Sequence, residues 1–228
     1  MNITRFADIA VTEFFSWGSV NAYPRDPLRY IKVLDTVQGM TTPSTMHMLN
    51  CAAQCLAPGE CYLEVGTWRG ATLIGALLGN GARGIAIDND TMDDHDEDDR
   101  DSAAVWRENV ARFGMADRTT YVDASVPAVF ERGRDLTNNQ PVGVYLYDGA
   151  KETIDEVLAG LLGIVPYLAK TAILFVDDGN VMQIRRGIFQ FVRKVYPHSW
   201  TVLDLPTPGN CWPCFWNGLI ALSWEAEP

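Results

Sequence analysis

From residue 61 the chain alternates short apolar runs with amphipathic stretches. "CYLEVG" (61–66), "GIAIDND" (84–90), "TTYVDAS" (119–125), "VGVYLYDG" (142–149) and "TAILFVDDG" (171–179) have strand composition. Between them, "GATLIGALLGNG", "AAVWRENVARFGM", the short "VPAVFERGR", "TIDEVLAGLLGIVPYL" and, last, "MQIRRGIFQFVRKVY" (182–196) carry apolar residues at helical spacing. The end, "SWTVLDLPTPGNCWPCFWNGLIALSW" (199–224), predicts two strands joined by a long turn. This alternation implies an α/β protein: a mostly parallel seven-stranded sheet, helices on both faces, and a C-terminal antiparallel hairpin.

Before residue 61 the pattern is less regular. "TPSTMHMLNCAAQCL" (42–56) predicts a helix capped by Thr42 or Ser44, with Pro43 in its first turn and Met46 and Met48 packing. The first forty or so residues are aromatic and mixed, with helix-like pieces broken by "YPRDP". We therefore separate an N-terminal helical segment, 1–37, that caps the molecule or serves substrate or dimer contacts, from a main domain, 38–228.

Composition narrows the partners. With 228 residues the chain builds one sizeable core. A net charge of −11 argues against nucleic acid or an anionic membrane surface as partner. No stretch is long and apolar enough to span a bilayer, and no signal peptide is evident. Five cysteines, an odd number, suggest reduced thiols and a cytoplasmic protein. The pair in "CWPC" (211–214) lies in turn-rich sequence and reads as two ordinary thiols.

In open α/β sheets ligands sit at the carboxyl ends of the strands. Three features of this sequence fall there. "YLEVGTWRGATL" places Gly66 and Gly70 where a strand turns tightly into a helix beside a ligand. Asp88 ends the next strand, placed to accept the two hydroxyls of a ribose. Trp68 would crowd a pyrophosphate, and Glu64 would repel one, so the pattern favours an adenosine compound with a cationic amino-acid head over a nicotinamide dinucleotide. The third feature is a set of carboxylates, Asp148, Asp177 and Asp178, at the ends of two buried strands, where a carboxylate is costly unless something pairs with it. One reading is that Asp148 and Asp178 cap the helices or turns that follow and Asp177 bonds backbone.

From about residue 38 onward these motifs resemble class I S-adenosylmethionine-dependent methyltransferases, with their Rossmann-like doubly wound fold. "LEVGTWRGAT" is similar to the first motif of that family. "VQGMTTP" (37–43) looks like the segment that closes over the cofactor in small O-methyltransferases of the catechol and caffeoyl-CoA type. The resemblance implies that Met40, Thr41, Glu64, Gly66, Thr67, Trp68, Gly70, Thr72, Asp88, Asn89, Asp123, Ser125 and Asp148 line S-adenosyl-L-methionine, with Ser125 near the adenine. It implies a second reading of the three aspartates. In metal-dependent members the matching positions bind Mg²⁺, and "VDD" is closer to the macrolide-sugar branch than to the catechol branch. Three adjoining carboxylates would raise one another's pKa unless a divalent cation is shared. Such an ion would hold two vicinal oxygens of a small substrate such as a diol, sugar or catechol.

By the same resemblance Lys151, three residues after Asp148, stands at the position of a catalytic lysine, a general base if its pKa is depressed. "DGAK" departs from the sugar-directed members and leaves the substrate class open. Two other readings stand: a metal-independent methyltransferase with Lys151 or Asp148 as base, and a non-catalytic cofactor-binding module whose aromatic ends (Phe14, Phe15, Trp17; Trp212, Phe215, Trp216) face a protein partner or a second copy in a homodimer. The acidic run 88–101 beyond Asp88 reads as a solvated loop. His47, His95 and His198 lack metal-ligand spacing. Arg185 and Arg186 read as exposed helix charges, or as contacts for an anionic substrate group.

Overall fold

The structure, a computed structural model, describes residues 1–15, 26–89, 101–207 and 214–226. The strands are β1 (Cys61–Val65), β2 (Arg83–Asp88), β3 (Thr119–Asp123), β4 (Val142–Tyr147), β5 (Leu168–Asp177), β6 (Ser199–Leu205) and β7 (Leu219–Glu225). They form one seven-stranded sheet in the order β3-β2-β1-β4-β5-β7-β6. The first five run parallel; β7 pairs antiparallel with β5, and β6 antiparallel with β7. Both the alternation and the terminal hairpin expected from the sequence are present.

The central strands are buried on both faces, as parallel strands between helices must be; every residue of β1 and β4 is buried. Helices α1 (Ile3–Ala10), α2 (Leu28–Leu34), α3 (Pro43–Ala53), α4 (Ala71–Leu77) and α5 (Ser102–Arg112) contribute to a core on one face, through Phe6, Tyr30, Val33, Met46, Leu73 and Trp106. Helices α6 (Ile154–Ile164) and α7 (Met182–Val195) cover the other with Leu161, Ile188 and Phe191. The N-terminal segment is part of the first core: Phe6 meets Phe175 of β5 edge to face, with ring centroids 6.0 Å apart. No helix among the described residues is long and apolar enough to cross a membrane.

Local chemistry sets the helix ends. Thr42 caps α3 by accepting from the Thr45 N–H, with Pro43 in the first turn. Thr153 and Glu156 form a reciprocal capping box on α6. One boundary differs from expectation. The apolar run that predicted a helix through Leu168 breaks at Pro166, which cannot donate a helical hydrogen bond. Helix α6 stops at Ile164, a short 3₁₀ turn spans Val165–Tyr167, and β5 begins at Leu168 rather than Thr171. "VPAVFERGR" likewise becomes 3₁₀ structure, Ala128–Thr137, interrupted at Gly133.

Candidate active site

The strand order reverses between β1 and β4, the point at which open α/β sheets place a ligand outside the carboxyl ends of their strands. Backbone bonds tie the loops there. Asp148 N–H donates to Val65 O at 2.9 Å, and Gly66 N–H to Ile87 O at 2.9 Å. Gly66 adopts φ 85°, and a Cβ on it would sit 2.2 Å from the Asp148 carbonyl oxygen. Only glycine fits that junction. Gly70, at φ 89°, abuts the Trp106 ring, which would lie 2.8 Å from an added Cβ.

Around this turn the carboxylates are held by the protein itself. Glu64 is fully buried. It accepts from the hydroxyls of Tyr62 (2.7 Å), Thr67 and Thr72 (3.2 Å). Burial pushes its carboxyl up to about 7, against the pull of those hydrogen bonds. Asp88 accepts from the Trp68 N–H at 2.6 Å and its own neighbour Asn89 N–H at 2.8 Å. Trp68 adopts φ 43° to present that N–H. Segment 38–41 lies across the start of α4: Arg69 donates to Gln38 Oε1 at 2.6 Å, and a Cβ on Gly39 would sit 2.4 Å from Ala71 Cβ. Met40 is half exposed there, while Thr41 is buried and its hydroxyl finds no partner among the described residues. Asp123 pairs in register with Asp88 at the rim; it and Ser125 are exposed.

The other half of the rim is acidic. Asp148, Asp177 and Asp178 each bring one carboxylate oxygen into a group lying within 4.8 Å of one another. Lys151 Nζ donates to Asp148 Oδ1, and to Asp178 Oδ2 at 2.7 Å. Asn217 Nδ2 donates to Asp178 Oδ1 at 3.2 Å. Asp178 holds φ 55°, an unusual conformation for a residue with a side chain. The turn before β7 supports it: Gly179 and Asn180 N–H groups donate to Gly218 O (2.9 Å) and Asn217 O (2.8 Å). Burial and then repulsion from Asp148 and Asp178 push Asp177 well above the carboxylate range, and burial likewise raises Asp148, with Lys151 opposing both.

One expectation changes and another turns on the ion. Neither Asp148 nor Asp178 caps a helix with its side chain: Thr153 caps α6, and the N-cap of α7 is Val181, with no side-chain hydrogen bond. For Lys151 the protein groups alone act against a depressed pKa, the direction expected beside a bound cation. Burial acts to lower it, but Asp148, Asp177 and Asp178 outweigh burial and hold the ammonium above the usual lysine range.

The other candidates lie in core or surface. His47 sits between Phe14 and Tyr30, its Nδ1 2.9 Å from the Tyr30 hydroxyl and its Nε2 3.5 Å from Glu13. Of the aromatic ends, Phe14 and Phe215 meet in the core, their rings 5.8 Å apart and both buried. Arg185 pairs with Asp204 at 2.7 and 2.8 Å, away from the acidic group, and Arg186 is exposed. Cys51, Cys55 and Cys61 are buried free thiols, and Cys214 is buried. Trp17, His95, Cys211, Trp212 and the acidic run 90–100 lie outside the described residues. Sequence reasoning missed Tyr62, Gln38 and Asn217. Tyr62 lay within reach, since two residues apart on a strand share a face; Asn217, 39 residues from Asp178 along the chain, gave no local signal.

Comparison with known proteins bears on the family and the fold. A family model described as a methyltransferase domain matches residues 63–179, just over half of the chain. The chain belongs to that methyltransferase family. Among solved structures it is similar to an O-methyltransferase from Bacillus cereus in complex with SAH, at 16% identity and TM-score 0.61 over 99% of this chain and 100% of that one. It is also similar to the O-methyltransferase TomG from Streptomyces achromogenes, involved in tomaymycin synthesis and solved with SAM, at 14% identity and TM-score 0.63 over the whole of both chains. These likenesses are of fold. A search of curated proteins gives no match.

Proposed function

We propose that this methyltransferase transfers the methyl group of S-adenosylmethionine to a hydroxyl of a small molecule, and that Asp148, Asp177 and Asp178 hold a divalent cation, Mg²⁺ or another oxygen-seeking ion. The observation that carries the reading is the convergence of the three carboxylates within 4.8 Å beside the Gly66 turn. Hard oxygen ligands in that number suit Mg²⁺, Mn²⁺ or Ca²⁺, and the raised affinities of Asp148 and Asp177 for protons mark a site short of positive charge. When bound, the ion would acidify an acceptor hydroxyl and hold a vicinal oxygen beside it.

The residues around the glycine turn suit the cofactor. Gly66 and Gly70 let the turn after β1 pack tightly against Asp148 and Trp106 at the rim, and Asp88 presents a carboxylate at the end of β2 for a ribose. Thr41 offers a buried hydroxyl with no partner among the described residues, beside the exposed Met40. Asn89, Asp123 and Ser125 line the same rim toward the adenine end. Glu64, enclosed by three hydroxyls, shapes the turn through Thr67 and Thr72 rather than touching the cofactor head directly. The net charge of −11 favours a small-molecule acceptor over nucleic acid.

A metal-independent version is favoured by one observation: Lys151 already bridges Asp148 and Asp178. In that version Asp148, its affinity for protons raised by burial, accepts the hydroxyl proton. Methyl transfer to catechol and vicinal-diol acceptors, measured with Mg²⁺ and with excess chelator, separates the readings. Loss of turnover in chelator with recovery on adding Mg²⁺ is expected. Turnover indifferent to chelator removes the metal; binding of S-adenosylhomocysteine without transfer to any acceptor would point to a non-catalytic module.

A further inference from the structure

We infer that Lys151 is a built-in rival for the cation seat: its ammonium takes the place between Asp148 and Asp178, and a divalent ion enters only by displacing it. The inference rests on the metal reading above and concerns how that site is filled.

Three observations lead to it. First, the lysine touches the same side chains that form the acidic group. Its Nζ bonds Asp148 Oδ1 and Asp178 Oδ2, and its side chain is 13% exposed. An ion bonded to oxygens of both residues at roughly 2.0–2.1 Å would lie within the gap that Nζ now spans. Two cations cannot share it without strong repulsion.

Second, the base of the lysine is fixed, so displacement must be a swing of the side chain. The Tyr147 hydroxyl lies 2.6 Å from Ala150 O and 3.1 Å from Glu156 O, pinning the loop to α6. The Lys151 N–H donates to Glu152 Oε2 at 3.1 Å. A displaced ammonium would turn toward solvent and the exposed Glu152, an adjacent carboxylate.

Third, one ammonium leaves the site unfinished. Lys151 bonds Asp148 and Asp178 but not Asp177, which brings a carboxylate oxygen within 4.8 Å of the other two. A single positive charge offsets part of three carboxylates; a divalent ion with the ammonium moved aside offsets more. Lys151 thus keeps the acidic rim folded while the ion is absent and sets a threshold of ion concentration for loading.

Two measurements on the full chain test this. The first is competitive labelling of lysine amines, read by mass spectrometry, with and without saturating Mg²⁺. The four lysines of the chain supply internal controls. Lys151 is expected to be protected without ion and to label about fivefold faster or more with it, as its ammonium leaves its carboxylate partners; Lys32, Lys170 and Lys194 should not change. The second is Mn²⁺ binding to wild type and to Lys151→Met by paramagnetic resonance. The variant is expected to bind about tenfold tighter or more, because no ammonium has to be displaced. A Lys151 that stays protected at full Mg²⁺ loading overturns the inference whatever the variant does, and equal Mn²⁺ affinity of the two proteins also overturns it; in both cases the metal reading stands. If neither protein binds Mn²⁺, the metal reading falls and the inference with it. The labelling arm uses wild-type protein, so a variant that fails to fold does not shield the idea.

Discussion

The two halves of the carboxyl rim use the same residue type in opposite ways. Around β1 and β2, the acids are completed by the protein: Glu64 by three hydroxyls, Asp88 by two backbone N–H groups. Around β4 and β5, three acids share one lysine, one asparagine and the Asp178 backbone N–H, which favours the Asp177 carboxylate. The first set holds a turn in shape, and Asp88 does so with acceptor capacity left for the proposed ribose. The second is electrostatically unfinished, which is how a protein prepares a place for a cation. Aspartate at a strand end therefore carries little meaning until its donors are counted.

The sharpest way to break the comparison is at the junction of the halves. Gly66→Ala forces a Cβ against the Asp148 carbonyl and strains a left-handed turn. We expect a loss of about 3 kcal/mol or more in unfolding free energy and no measurable binding of S-adenosylhomocysteine, read by denaturant titration and calorimetry. Near-wild-type values would mean that the two halves are not rigidly joined. Next comes a change confined to the acidic half. Asp177→Asn should lower turnover by about 10²–10³-fold, the several kcal/mol a bound ion supplies, with cofactor affinity intact. In chelator the same variant should melt higher than wild type, because it relieves repulsion; a lower melting temperature would show that Asp177 is already satisfied.

A smaller effect separates the framework acid. The ordinary value for a glutamate is 4.5, and the folded Glu64 carboxyl sits at about 7. Between those values the folded state holds more of the proton than the unfolded state does. The contribution of Glu64 to stability is therefore complete below 4.5, falls as pH rises through 7, and is level above. Against Glu64→Gln, wild type should lose roughly 2–3 kcal/mol between pH 4.5 and 8, by urea unfolding in chelator. A gap independent of pH would mean that Glu64 is ionised throughout. Smallest is Tyr62→Phe, which removes one of three donors and should cost about 1 kcal/mol while narrowing cofactor affinity little. A cost as large as that of Gly66→Ala would show that the hydroxyls act as one unit.

Much of this was legible along the chain. Periodicity located the alternating strands and helices, and the glycines and strand-end acids marked the rim, because both are short-range signals. What failed were balances between distant groups. The end of α6 was misplaced because an apolar run does not say whether Pro166 breaks a helix or starts a turn within it. The direction of the Lys151 pKa turns on whether a cation or the three carboxylates alone set its surroundings, a balance spread over residues as far as 27 positions apart. The support of Asp178 by Asn217 and the burial of Phe14 against Phe215 depend on where the last hairpin lands, which no local pattern encodes.

That hairpin also bears on how the molecule comes into being. Strand β7 follows β6 in the chain yet lies between β5 and β6. While a ribosome has delivered the chain only as far as β6, the outer edge of β5 is bare, β6 has nothing to pair with, and Phe215–Gly218 is not yet beside Asp178. Sealing the sheet and bracing the acidic rim then occur together, when β7 slides into its slot. Until that moment the nascent chain exposes a strand edge open to wrong partners, and it cannot present a finished site.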